Sequence, residues 1–409
     1  MSERVDIKDQ ESLKAWLKDQ PREVVLFIST RAALRLIPVV WYWAGFDKSG
    51  RVDIGSKLSF DELLLEYLHA ALITHIGCAP KDISNRAQFS GIKIATIDPE
   101  SNSVLMAHDA VALSCLLFEQ DEPIREVIRT LMASSSSLQQ LSDVVTNKTG
   151  GPYLKNLEES DILSEWLTDY DSLSLQELKL NLRLWFAHNP LNGLWDIIRQ
   201  ETRHASPNDD LSSSSMSDWQ FWIDWYDALL DGRPMLGDAG RTWEMLEQIA
   251  LIDPETWDKG PEVVNPVIRG IWELHRLRAE VAALQAEKAA FLAARASEAQ
   301  RGHNQPPEGL VDDAPEVARQ ITIIWDGLDE ARDELERNAL DKGVLRAIAE
   351  RMLAALNAVV AYCGKVGDAA VMSAAKIGGG AVGTAVLDHV ANNGRLMQFA
   401  KDLLAFGGG

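Results

Sequence analysis

Two short patterns carry the residue types of metal chemistry: Glu66-Tyr-Leu-His69 and Glu201-Thr-Arg-His204. Residues at i and i+3 share one face of a helix, and di-iron carboxylate bundles use two such Glu-x-x-His pairs with two further glutamates. Glu62 falls on the same face as Glu66 and His69. Against this, Leu64, Leu65, Leu68 and Leu72 form the apolar stripe of that helix, which turns its carboxylate side towards water. His204 stands just before Ala205-Ser206-Pro207, a helix-ending sequence where an imidazole interacts favourably with terminal carbonyls. The reading adopted is no metal and no cofactor, with Glu66, His69, Glu201 and His204 as the residues a metal site would use.

Other chemistry is weaker still. Gly378-Gly379-Gly380-Ala381-Val382-Gly383 matches the G-x-G-x-x-G spelling of dinucleotide sites. That fingerprint needs a preceding strand and an acidic ribose ligand some way downstream, whereas here an alanine-rich helical pattern precedes it and the sequence ends soon after. Ser114 and Cys115 lie inside the apolar run Val111–Phe118 and read as small core residues. His108 and Asp109 are adjacent in sequence, so they do not face each other on a helix. No catalytic residue is assigned.

The chain has 409 residues, with 40 Lys+Arg against 61 Asp+Glu and a formal charge of −21. A chain that neutralises phosphates needs a dominant cationic face, so nucleic acid is excluded as a partner class. Three widely separated cysteines make neither a disulfide framework nor a zinc-finger spacing, and they suit a reducing compartment. The opening residues lack the basic-then-apolar layout of a secretion signal, so the expected location is cytoplasmic. The 13 tryptophans cluster, above all in WQFWIDWYDALL, where Trp219, Trp222, Ile223, Tyr226 and Leu229 share a stripe. Core packing is the first reading of that stripe, and Trp219 and Trp222 are its candidate anchors for a partner.

Stepping along the chain, helical periodicity dominates. The expected fold is mainly α: a multi-helix body with at most a minor β-hairpin, a long helix, then a C-terminal helical hairpin and Gly/Ala-rich helices. Ile92–Ile97 and Ser103–Met106, flanking a turn, are the strand candidates. The expected boundaries are a body over 1–262 with a sub-boundary near 134–152, a connecting helix over 263–300, a Pro-rich linker over 301–315, and a C-terminal region over 316–409. In the connecting helix Leu274, Leu277, Val281, Leu284 and Phe291 take seam positions, while Lys288 and Arg295 interrupt them. Val317, Ile321, Ile324, Leu328, Ala331 and Leu335 make one seam. Leu345, Ile348, Met352, Ala355, Val359 and Tyr362 make a second, with Asp341-Lys342-Gly343 as the turn of an antiparallel hairpin.

Two segments invite a membrane test. Val24–Phe46 has the length of a span and ends in an aromatic cluster, but Arg31 and Arg35 near its middle each cost about 2.5–3.5 kcal/mol on insertion. A buried core helix is the cheaper reading. In the tail, Lys376, Arg395 and Lys401 offset Asp368, Asp388 and Asp402, and only Ile377–Leu387 is free of charge, too short to cross alone. Glycine inside a helix is unfavourable by about 1 kcal/mol relative to alanine, so the run at 378–383 requires close contact with another surface. Gly379 and Gly383 have the small-xxx-small spacing that permits such contact. Leu396, Phe399 and Leu403 line one face of the last helix. Together these five are the candidate interaction residues of the tail.

The segment Gly302-His303-Asn304-Gln305-Pro306-Pro307-Glu308, followed by the hairpin and the Ala/Gly-rich tail, resembles a recurring arrangement in uncharacterised bacterial and phage-associated helical proteins. The resemblance covers residues 302–409. It implies a bacterial or prophage origin and a modular C-terminal unit, and it implies no activity. Three functions follow, in order. The first is a non-enzymatic helical interaction protein that self-associates or binds a protein partner through its C-terminal region. The alternative is a membrane-acting effector of pore-forming, toxin or defence type using residues 366–406, with peripheral or conditional membrane contact. Third is a metal-dependent enzyme sited in the helical body.

Overall fold

The computed structural model describes residues 15–21, 30, 34, 37–38, 41, 60–77, 195–196, 199, 219–299, 314–377 and 394–408. Of these, 85% are helical and none forms a strand, which fixes this part of the chain as all-α. The strand candidates at 92–106 and the Gly302–Glu308 segment lie outside the described residues. The chain divides into two compact units, Met1–Ile271 and Trp272–Gly409.

In the first unit, α1 (Phe60–Gly77) combines a majority of apolar residues with Asp61, Glu62, Glu66, His69, Thr74 and His75. The sequence reading gave it one stripe, but Tyr67, Ala70, Ala71, Ile73 and Ile76 are buried together with Leu64, Leu65, Leu68 and Leu72. Its buried face is therefore wider than one stripe, while Glu62, Glu66 and His69 are only partly buried. Helix α2 (Gln220–Leu230) contributes the tryptophan-rich face and ends in a Schellman turn. There Gly232 takes φ +61°, its N–H donates to the Leu229 carbonyl, and the Arg233 N–H donates to the Ala228 carbonyl. Helix α3 (Ala239–Ala250) is capped by Asp238, which accepts from the Arg241 N–H at 2.9 Å. One turn, α4 (Pro254–Trp257), is capped by Asp253 and opens with proline, where no hydrogen bond is lost. The 39-residue α5 (Pro261–Ala299) follows.

The second unit is a four-helix bundle. It comprises α5 from Trp272 onward, α6 (Ala314–Leu335), α7 (Lys342–Ile377) and α8 (Arg395–Gly408). Residues of all four share one core: Leu277, Val281 and Leu284 from α5, Ile321 to Leu335 from α6, Leu345 to Val359 from α7, and Leu396, Phe399, Ala400 and Leu403 from α8. The expected hairpin of α6 and α7 is present. Its turn is closed by Glu334, which is buried, accepts from the Asp341 N–H at 2.8 Å and pairs with Arg337. Asp341 in turn caps α7 by accepting from the Gly343 and Val344 N–H groups.

Cross-helix pairs set the directions. On α5 and α6, Arg278 donates to the Leu335 carbonyl and Lys288 pairs with Asp329 at 2.9 Å, so these helices run antiparallel. Lys288, which interrupts the seam in sequence, also lies 5.3 Å from the centre of the Trp325 ring, so its charge is used at the rim of the core. Arg351 pairs with Glu330, and a β-carbon at Gly327 would stand 2.5 Å from Met352 Cγ. These fix the register of α7 on α6.

Candidate functional site

Helix α1 places Glu66 and His69 on neighbouring turns, as the spacing requires, but the imidazole is committed elsewhere. It stacks face to face on Trp257 with ring centres 3.6 Å apart and planes 4° from parallel. Burial lowers its pKa from 6.5 to about 3, so the ring is neutral at ordinary pH. Glu201 and His204 lie outside the described residues, so the second pair cannot be joined to the first. Among the described residues no group of three or more His, Cys, Asp or Glu side chains converges as a metal site needs.

The anchors proposed on α2 are core residues. Trp219 and Trp222 are both buried, and Trp222 Nε1 donates to Asn265 Oδ1 at 3.1 Å. Trp41 packs edge-on against Trp195 and Trp219, and Trp195 Nε1 donates to Asp227 at 2.7 Å. Close by, sequence reasoning missed His75. It is buried on α1 with its ring centre 4.8 Å from that of Trp243 and 5.9 Å from that of Trp225, and burial lowers its pKa to about 3. These three rings line a small recess with Leu246, Met235 and Thr242. The Thr242 hydroxyl donates to the Asp238 carbonyl, and no carboxylate lines the recess. Its lining is mainly apolar, with His75, Thr242 and Arg233 as its polar members.

The most elaborate fit among the described residues is the seat of α8 between α5 and α7. Arg395 opens the helix and reaches two carboxylates of α5, bonding Glu280 at 2.8 Å and also Glu287. Partial burial alone would lower its pKa, but the hydrogen bond and charge of Glu280, with the charge of Glu287, raise it above the ordinary value. Two turns later Asp402 accepts from Arg276 at 2.7 Å. Leu396, Phe399 and Leu403 are completely or almost completely buried, so these three candidate interaction residues close the unit's own core instead of facing outward. At the far end a β-carbon on Gly407 would stand 2.9 Å from both the Arg346 amide nitrogen and the Lys342 carbonyl oxygen. Lys342 also lies over the Phe406 ring at 5.3 Å.

This is the close backbone approach that the sequence reading demanded of Gly379 and Gly383, found at another glycine; those two lie outside the described residues. Glu280 and Glu287 are seven residues apart, a same-face spacing visible in the sequence, but nothing local names Arg395 as their partner. Among the described residues no helix is long and apolar enough to cross a membrane.

Comparison with protein-family models, curated proteins and solved structures finds no match.

Proposed function

We propose that this chain is a non-enzymatic interaction protein whose C-terminal four-helix bundle mediates self-association. One observation carries the reading: among the described residues α7 outruns its antiparallel partner α6. It has 36 residues against 22 in α6. With Arg351 level with Glu330, the start of α6 at Ala314 stands near residue 367 of α7, and Ile377 lies about 15 Å beyond it. Isolated helical turns are marginal in water, so the reading places a second surface against the turns beyond the start of α6. The stretch is rich in small residues, with Gly367, Ala369, Ala370, Ala374 and Ala375, and these allow a neighbouring helix to approach closely. The acidic charge of the chain disfavours nucleic acid as that surface, and a protein surface is the one proposed.

Light scattering on the full chain tests this reading. The expected result is twice the chain mass or more at micromolar concentration. Ala370→Glu combined with Ala374→Glu should return it to a single-chain mass with the melting of the bundle unchanged. A single-chain mass for the unaltered protein at every concentration removes the proposal.

A further inference from the structure

We propose that the recess beside His75 in the first unit binds a small uncharged molecule with an apolar body and one carbonyl oxygen, such as a ketone, ester or lactone. Trp225 of α2 lines this recess and is 1% exposed. Its indole Nε1 is buried and meets no acceptor among the described residues. A buried donor without an acceptor keeps its full desolvation penalty, so an occupant that brings an oxygen to this N–H relieves it. Trp257 and Trp325 also bury an indole nitrogen without an acceptor, but neither lines the recess. Only at Trp225 does the unmade hydrogen bond coincide with room for a ligand.

The other surfaces decide the rest of the occupant. Ala228, Leu229, Met235, Trp243 and Leu246 make the walls apolar, which suits a hydrocarbon body. Recess and mouth together hold about 320 Å³ of empty space, part of it open to solvent, so that body is no larger than one substituted ring. Water is a poorer occupant, because a buried water needs about two to four polar partners. The Thr242 hydroxyl is already engaged, donating to the Asp238 carbonyl and accepting from the Leu236 N–H. No carboxylate lines the recess, so a cation finds no counter-charge there. An anion is disfavoured as well. Arg233, the one cation of the lining, already donates its Nε to Asp231 at 2.9 Å. Burial keeps His75 neutral, and the chain as a whole carries −21. An oxygen acceptor without charge is what remains.

The full chain, carrying isotopically labelled tryptophan, is titrated with cyclohexanone and followed by NMR. The Trp225 indole N–H signal, assigned by its loss in Trp225→Phe, should move downfield and saturate. Methylenecyclohexane keeps the ring and replaces the oxygen by carbon. Its apparent affinity, read for both compounds at the indole signal of Trp243, should be at least tenfold lower. Ala239 lines the recess from an exposed position on α3, so Ala239→Phe should fill it and weaken cyclohexanone binding at least tenfold with the melting of the protein unchanged. Absence of a saturable shift with cyclohexanone overturns the site. Equal affinities for the two rings overturn the part given to the indole donor, and with it the carbonyl ligand. Tighter binding of cyclopentanecarboxylate than of cyclohexanone overturns the uncharged occupant. Should Trp225→Phe fail to fold, triple-resonance assignment identifies the signal, and unaltered binding by Ala239→Phe then overturns the site.

Discussion

Gly407 and Arg346 meet backbone to backbone: a β-carbon on the glycine would lie 2.9 Å from the arginine's amide nitrogen and 3.2 Å from its Cα. Neither atom can turn aside as a side-chain tip does, so the end of α8 and the start of α7 touch only because position 407 has no side chain. Gly408 faces open space in the same helix and supplies the control. Gly407→Ala should destabilise the bundle by about 1–3 kcal/mol through forced separation. Gly408→Ala should be neutral or stabilising by up to about 1 kcal/mol through helix propensity. Urea unfolding of both variants checks the contrast, and equal effects would refute the contact.

A second glycine sets the spacing of α6 and α7. Gly327 lies opposite Met352, whose Cγ would be 2.5 Å from an added β-carbon. Gly327→Ala should therefore destabilise by about 1–3 kcal/mol. Shortening the opposing side chain in Met352→Ala should make the same glycine substitution far less harmful. A double-mutant cycle should show coupling of about 0.5–3 kcal/mol, and strict additivity would place the two residues out of contact.

The pH response of the first unit follows from His69 and His75, both lowered by burial to about 3 against an ordinary 6.5. Above about pH 6.5 neither the folded nor the unfolded chain protonates them, and their contribution is constant. Below that value the unfolded chain binds protons that the folded chain refuses until about pH 3, so stability falls as pH drops through this window. His75→Phe should flatten part of that acid limb. Tryptophan fluorescence, reporting on Trp225 and Trp243 beside the imidazole, follows the transition. An unchanged acid limb in the variant would show that His75 does not contribute to it.

Trp222 and Asn265 make a buried pair between α2 and α5. Asn265→Ala strands the indole N–H and should destabilise by about 1–3 kcal/mol, because a buried donor without an acceptor keeps its full desolvation penalty. Trp222→Phe removes that donor, so adding it to Asn265→Ala should be less harmful than the two separate effects summed. Thermal unfolding of the four chains measures the coupling, whose absence would mean that the pair carries no hydrogen-bond energy.

The helical class, the α6–α7 hairpin and the core members Ile321, Ile324, Leu328, Ala331 and Leu335, with Leu345, Ile348, Met352, Ala355 and Val359, were legible in the sequence, because a 3.6-residue repeat marks which side chains share a face, whereas Trp325, Ala349 and Leu356 join that core from outside the two seams. The same repeat marked Leu396, Phe399 and Leu403 as one face of α8, but not what covers it. Only the tertiary structure decided that this face closes the chain's own bundle, that Arg395 joins Glu280 and Glu287, and that His69 lies flat on Trp257. Those pairings link residues far apart in the chain. Periodicity orders neighbours along one helix, while partners across helices are chosen by close packing and by how buried charge is neutralised, and both act between surfaces that no local pattern brings together.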